Sequence, residues 1–158
     1  MRPAIVMIHG SVPVEADRLR KVAAEFGFTA ESVAQIRDVA SPPESVAAVL
    51  FHWDAFGPHS TWLEAIRTIR GYFPDSCAVP AHGFSDPVDW ELLAAEGAYH
   101  SLWLPLKEPE LRQCLGFIWE SESRSLSAQS VVGLRRNATS SGGNTHPGRI
   151  PRADFLAA

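Results

Sequence analysis

The residue best placed for chemistry in this sequence is Asp54, which follows a buried apolar run and precedes an amphipathic segment. The apolar run at 47–51 is too short for a typical helix and predicts a buried strand. Pro58 comes four residues after Asp54, and apolar residues then recur at helical spacing, at Trp62, Ala65, Ile66 and Ile69. In open α/β sheets, ligands and reactive groups collect where a strand empties into the loop before a helix. Asp54 is therefore the first candidate for a functional carboxylate.

Three histidines suggest a second kind of chemistry. His9, His52 and His82 all lie near the predicted carboxyl ends of strands. Converging imidazoles would suit Zn²⁺ or another borderline metal, but their spacing matches no local metal motif. The alternative is that the three rings make ordinary hydrogen bonds or face solvent, so a histidine-lined metal-binding α/β domain stays one function among others.

Motifs of common enzyme classes are missing. The segment MIHGS at 7–11 is similar to the His-Gly oxyanion loop of α/β-hydrolases, but the G-x-S-x-G nucleophile elbow of that family does not occur. The sequence also has neither G-x-G-x-x-G nor a P-loop. We therefore expect a protein that is not an enzyme.

Composition narrows the function classes further. The chain has 158 residues, of which 46% are apolar and 20% charged, as expected for one soluble domain with a real core. The net charge of −4 favours neither nucleic acid nor an anionic membrane as a partner. No apolar run reaches the roughly 20 residues of a bilayer span, and no secretory leader is visible, so we expect a cytoplasmic protein. Cys77 and Cys114 lie within apolar segments and are expected to be buried, reduced thiols.

The elements that must position these residues alternate along the chain. Strands are predicted at 4–8, 28–33, 47–51, 77–81 and 101–104, although a proline at position 80 is unfavourable in a central strand. A short second helix is predicted within 33–39. The inward faces of the other helices are predicted to be Leu19, Val22, Ala23 and Phe26; Trp62, Ala65, Ile66 and Ile69; Val88, Leu92 and Ala95; and Leu111, Cys114, Leu115 and Ile118. Such alternation predicts (βα)5, with a parallel sheet and helices on both faces.

The character of the chain changes after about Ser121. Residues 108–122 predict the fifth helix, whereas the segments that follow are polar and rich in Ser, Gly and Asn. We therefore predict one domain over residues 1–122 and a mostly disordered polar tail over 123–158.

Several short motifs along residues 3–120 occur together in a characteristic order. They are Gly27-Phe28, Asp54-x-x-x-Pro58, LEAIRTIR in the third helix, Glu96-Gly97-Ala98, and Pro105-Leu106. In this order and spacing the chain resembles a response-regulator receiver domain, the phosphoacceptor module of two-component signalling. The resemblance implies a flavodoxin-like α/β fold, a doubly wound parallel sheet with strand order 2-1-3-4-5.

The resemblance also implies a site, and this sequence departs from it. The acidic pair that holds Mg²⁺ in such domains falls on Gly10 and Ser11, the phosphoacceptor on Asp54, the Thr or Ser on His82, and the Lys on Leu104. Only the phosphoacceptor Asp54 is kept. A register with His52 as the acceptor fits less well, because Pro58 and Leu63-Glu64 lie at the expected distances from Asp54. Alternation along a strand would place His52 on the same side of the sheet as Asp54.

These losses should weaken phosphoryl transfer, which depends on positioning and on neutralising charge. A glycine and a serine cannot replace two carboxylates as ligands of Mg²⁺, so we expect no Mg²⁺ cofactor. Leu104 cannot pair with a phosphoryl oxygen. A protonated His82 beside Asp54 could instead hold the loop in a constitutive conformation.

The favoured function is therefore a stand-alone pseudo-receiver that acts by binding a protein, either a histidine kinase or a downstream regulator. A receiver phosphorylated on Asp54 is the main alternative. Trp62 and Trp119 are predicted on core faces of helices, whereas Trp90 and Trp103 fall in the fourth helix and fifth strand. In receivers the face of helix four, strand five and helix five docks partners, so these two rings either pack in the core or bind a partner. The same face could also join two copies of the chain as a homodimer.

Overall fold

The computed structural model describes the backbone of residues 2–98 and 100–140, and the side chains within 2–98 and 100–125. The chain divides between Glu122 and Ser123 into two units. The account of the fold concerns the first unit, which holds the sheet. No helix in the described part of the chain is long and apolar enough to cross a membrane.

Five parallel strands form one sheet. They are β1 (Ala4–Ile8), β2 (Thr29–Val33), β3 (Val46–Phe51), β4 (Cys77–His82) and β5 (Leu102–Trp103). Their order is β2-β1-β3-β4-β5. Strands β1 and β3 are buried along their whole length, as continuous apolar runs in a parallel sheet should be. The predicted flavodoxin-like fold and strand order are confirmed.

Helices cover both faces of this sheet. They are α1 (Ala16–Glu25), α2 (Trp62–Tyr72), α3 (Trp90–Ala95) and α4 (Glu108–Ser140). Where the sequence predicts a second helix within 33–39, the structure has a 3₁₀ turn, Ile36–Asp38. The segment is too short for a full helix, because β2 extends to Val33 and Pro42 follows soon after.

The core consists of two layers, one on each side of the sheet. Along β1, Ile5 and Met7 join one layer, and Val6 and Ile8 join the other. This alternation is the two-residue period of a strand. The first layer includes apolar residues of α1 and α4, and the second includes those of α2 and α3, so the sheet is covered on both sides.

Most predicted helix faces are buried as expected. The predicted inward residues of α2 and those at the start of α4 are all at most 7% exposed. In α3 the prediction of Leu92 and Ala95 as inward residues is wrong, because Leu93 is the buried residue, at 1% exposed. Trp119, predicted on a core face, is 48% exposed, which is a second error.

Pro80 is compatible with β4 because the neighbouring strand β5 is too short to pair with it. It pairs with Phe51 of β3, whereas the pairing of β4 with β5 begins only at Ala81. The missing N–H of the proline therefore disrupts no bond to β5.

The last helix is longer than predicted. The sequence predicts its end near Glu122, but α4 continues to Ser140. Residues 123–140, which the sequence assigns to a polar tail, are thus helical, and 141–158 lie outside the described residues.

Candidate functional site

Asp54 lies in a 3₁₀ turn, Trp53–Phe56, that begins directly after the end of β3. The pairing of β3 with β1 ends at Phe51, so Asp54 lies in the loop beyond the strand. The turn is closed by the backbone N–H groups of Ala55 and Gly57, which donate to the backbone carbonyl oxygens of His52 and Asp54, respectively. The side chain of Asp54 is therefore positioned by a tight turn at the carboxyl edge of the sheet.

The two carboxylate oxygens of Asp54 have different surroundings. Ser11 Oγ donates a hydrogen bond of 2.8 Å to Oδ2. His52 Nδ1 lies 2.8 Å from Oδ1, which is shielded from solvent and has no hydrogen-bond partner among the described residues. The side chain of Asp54 as a whole is 25% exposed. One oxygen is thus enclosed and the other is bound by a hydroxyl.

Gly10 makes this enclosure possible. Its φ of 57° lies in the left-handed region that favours glycine. A Cβ at this position would collide with Asp54 Oδ1 and would lie 2.9 Å from the backbone nitrogen of Ala55. The position where receivers carry a carboxylate has no room for one here.

His52 lies between two carboxylates. Its side chain is only 6% exposed, and its Nε2 lies 2.9 Å from Asp86 Oδ2, while Nδ1 faces Asp54. Nδ1 accepts a hydrogen bond of 3.4 Å from the Asp54 backbone N–H, so the ring caps the turn at its start and contacts Asp86 through its other nitrogen. His52 and Asp54 lie close together, but the turn after β3 brings them there, not the strand alternation on which the expectation rested.

Asp86 is the residue that the sequence interpretation missed. Its carboxylate accepts hydrogen bonds from the Gly83 backbone N–H and from the His52 ring. Burial favours the neutral acid, but these contacts outweigh it and hold the pKa of Asp86 below its ordinary value. An Asp in the loop after a neighbouring strand was the available signal, because carboxyl ends of parallel strands share one edge.

His82 does not contact Asp54, and the predicted pair of these residues is wrong. The His82 ring is 2% exposed and packs against Trp103 and Trp90, with centroid distances of 4.4 and 5.1 Å. Its Nε2 has no hydrogen-bond partner among the described residues. Leu104 packs against the first core layer. Of the predicted pocket, the structure thus brings Gly10 and Ser11 to Asp54, and places His82 and Leu104 elsewhere.

The three histidines do not converge. His9 Nδ1 lies 2.9 Å from the carbonyl oxygen of Gly10, whereas His52 and His82 have the partners given above. Across the part of the chain that the structure describes, no group of three or more His, Cys, Asp or Glu side chains could hold a metal ion.

Trp103 and Trp90, whose packing the sequence left open, are largely exposed. They are 45% and 50% exposed, and Phe84 beside Trp103 is 95% exposed. We call Phe84, Trp90 and Trp103, with the His82 ring beneath them, the aromatic surface. Large exposed rings in one cluster are typical of protein interfaces.

Comparison with known proteins gives matches only at the level of structure. No protein-family model matches the sequence, and no curated protein matches it. The signal receiver domain of a putative LuxO repressor protein from Vibrio parahaemolyticus superposes with a TM-score of 0.61 at 14% identity, covering 80% of this chain and 98% of that chain.

Two further solved structures agree. A CheY-like response regulator receiver domain protein from Methanospirillum hungatei gives a TM-score of 0.60 at 12% identity, covering 79% of this chain and 99% of that chain. A response regulator receiver domain protein from Clostridium thermocellum gives 0.59 at 14% identity, covering 76% and 97%. The resemblance predicted from the sequence is confirmed in three dimensions, and the chain has the fold of response-regulator receiver domains.

Proposed function

We propose that this protein is a pseudo-receiver, a signalling module that binds a partner protein without regulated phosphorylation. The observation that carries the proposal is the enclosure of Asp54 Oδ1 between the His52 ring and Gly10. A phosphoacceptor needs a free carboxylate oxygen that can approach the phosphorus atom in line. Here one oxygen is enclosed and the other accepts from Ser11.

The donor set around Asp54 does not fit Mg²⁺. This hard cation requires several oxygen ligands in octahedral geometry, with carboxylates among them. Gly10 contributes no side chain, Ser11 contributes one hydroxyl, and Asp86 is bound to His52 and Gly83. We therefore propose no metal cofactor and no catalytic activity.

The proposed partner is a histidine kinase or a downstream regulator. The aromatic surface lies on α3, β5, the end of β4 and the loop that follows β4. Phe117 on α4 is a further exposed ring. Desolvated Trp and Phe rings contribute strongly to protein binding, which supports this side as the docking surface. A homodimer through the same surface is the alternative partner.

Intact-mass spectrometry of the full chain after incubation with acetyl phosphate and Mg²⁺ tests the central step. We expect no phosphoryl adduct, while a phosphorylatable receiver domain treated in parallel gains one. An adduct that disappears in Asp54→Asn would contradict the proposal.

A phosphorylatable receiver is the second candidate, and one observation favours it. Asp54 lines an open cavity of about 570 Å³ together with Ser11 and Pro58, so a phosphodonor has a route to Oδ2. The same mass measurement separates the two functions, because only the second predicts an adduct on Asp54.

A further inference from the structure

We infer that a second site, a groove lined by tryptophans, binds an arginine side chain of a protein partner. The groove has a volume of about 890 Å³ and lies between the start of α2 and the start of α3. We call it the tryptophan groove and define it by Trp53, Trp62 and Trp90 with Asp89 and Glu91. The inference rests on the proposed interaction function and specifies the chemistry of the partner.

Two of the three aromatic walls of the groove, Trp53 and Trp62, are held by packing or a hydrogen bond. Trp62 is 7% exposed, and its Nε1 donates a hydrogen bond of 2.9 Å to the carbonyl oxygen of Pro87. Trp53 packs against the second core layer, whereas Trp90 is half exposed. Rigid rings lose little conformational freedom on binding, so they favour a flat or apolar occupant.

The charges of the groove select a cation. Asp89 and Glu91 both line it, whereas none of the lining residues that the structure describes is Lys, Arg or His. Glu91 makes no hydrogen bond or ion pair with any residue that the structure describes. Asp89 Oδ1 accepts from the Leu92 backbone N–H at 3.0 Å, which leaves its other oxygen for a ligand. The groove therefore offers unsatisfied negative charge beside aromatic faces.

Guanidinium fits this combination better than ammonium. It is planar, weakly hydrated and able to stack on an indole while its N–H groups bind a carboxylate. Ammonium is compact and strongly hydrated, so it loses more hydration free energy on entering an aromatic groove. An arginine that inserts between the tryptophans can pair with Glu91 at the rim.

The occupant would also contact the rings that surround His52. The His52 ring lies 5.6 Å from Trp53 and 6.0 Å from Trp62, centroid to centroid. The groove thus borders the Asp54 site through direct ring contacts.

The test is a titration of the ¹⁵N-labelled full chain with the blocked tripeptide acetyl-Ala-Arg-Ala-amide, followed by NMR of the indole N–H signals. We expect saturable shifts for Trp53, Trp62 and Trp90, whereas Trp119 serves as the internal reference. The same peptide with citrulline in place of arginine keeps the shape without the charge, and we expect it to bind at least about tenfold more weakly.

Charge-neutralising variants make the test specific. Glu91→Gln should weaken the arginine peptide roughly fivefold. Asp89→Asn should also weaken it, and because Asn is as good a helix cap as Asp, the fold is kept. Glu44→Gln is the control, since Glu44 is an exposed glutamate outside the groove, and should leave affinity unchanged.

Three results would overturn the inference. They are the absence of saturable shifts at the groove tryptophans, equal binding of the citrulline peptide, and shifts that depend on protein concentration without peptide, which would assign the groove to a second copy of the chain. None of these results affects the phosphorylation experiment, so failure of this inference can be told apart from failure of the proposed function.

Discussion

His52 Nδ1 lies 2.8 Å from Asp54 Oδ1, the carboxylate oxygen that also faces Gly10. The other ring nitrogen contacts Asp86, so one buried ring holds the turn after β3 and the loop after β4 together.

Removing the ring should destabilise the fold. His52→Ala leaves the Asp54 backbone N–H and the Asp86 carboxylate without the ring that both contact, and we expect a loss of about 1–3 kcal/mol in the free energy of unfolding. Urea denaturation followed by tryptophan fluorescence measures it. His59→Ala is the matched control, because His59 is an exposed loop residue. Equal stability of the two variants would contradict the bridging role.

Gly10→Ala should lower the free energy of unfolding by more than the same substitution at another glycine with a left-handed backbone conformation. Gly27 has a similar φ of 78°, but no described atom lies within 4 Å of a Cβ built there. Gly27→Ala should therefore lower the free energy of unfolding only through backbone strain, by roughly 1 kcal/mol. At Gly10 the same substitution also displaces Asp54, and we expect at least about 1 kcal/mol more. Thermal or urea unfolding of both variants compares them. If the two losses are equal, Asp54 is not held against Gly10.

Stability should fall in acid in part through Glu31. Burial favours its neutral form, but hydrogen bonds from the backbone N–H groups of Ala40 and Ser41 and from the Ser41 hydroxyl outweigh it and lower the pKa of Glu31. The unfolded chain then binds more protons than the folded one near the ordinary value of 4.5, so stability is present above that pH and is lost as pH falls below it.

Glu31→Gln isolates this contribution. We expect a smaller difference in unfolding free energy between pH 6 and acid for this variant than for the wild type, measured by urea titration at each pH. Glu44→Gln should keep the wild-type profile, since Glu44 makes no hydrogen bond or ion pair with the described residues. A wild-type profile in Glu31→Gln would contradict the assignment.

Local patterns predicted most of the fold because they are set by near neighbours. The stretch from β3 to α2 is the clearest case: the apolar run forms the strand, and Thr61 and Glu64 form a capping box at the start of the helix. Trp119 shows where local patterns fail. It follows the buried Ile118 directly but is exposed, because the width of the buried face of a helix depends on what packs against it.

The site was harder to predict because its contacts are distant in sequence. Ser11 and Asp54 are 43 residues apart, and His52 and Asp86 are 34 apart. Strand order places their loops at one edge, but which side chains meet there depends on the 3₁₀ turn and on the backbone conformation of Gly10. Neither leaves a periodic pattern. The sequence therefore pairs His82 with Asp54, whereas the structure places His52 beside it.

Thiol reactivity offers a test of the first core layer, to which both cysteines contribute. Burial raises the pKa of Cys77, and burial together with the nearby Cys77 raises the pKa of Cys114 to about 12. At pH 8 almost no thiolate is present at Cys114, which is 5% exposed. We expect the single-cysteine variant Cys77→Ala to react with a disulfide reagent only as fast as the protein unfolds, and Cys114→Ala, which keeps the less buried Cys77, to react sooner. Rapid reaction of Cys114 in the native protein would show that α4 does not cover the sheet there, whereas full reaction of both variants in guanidinium chloride confirms that each thiol is free.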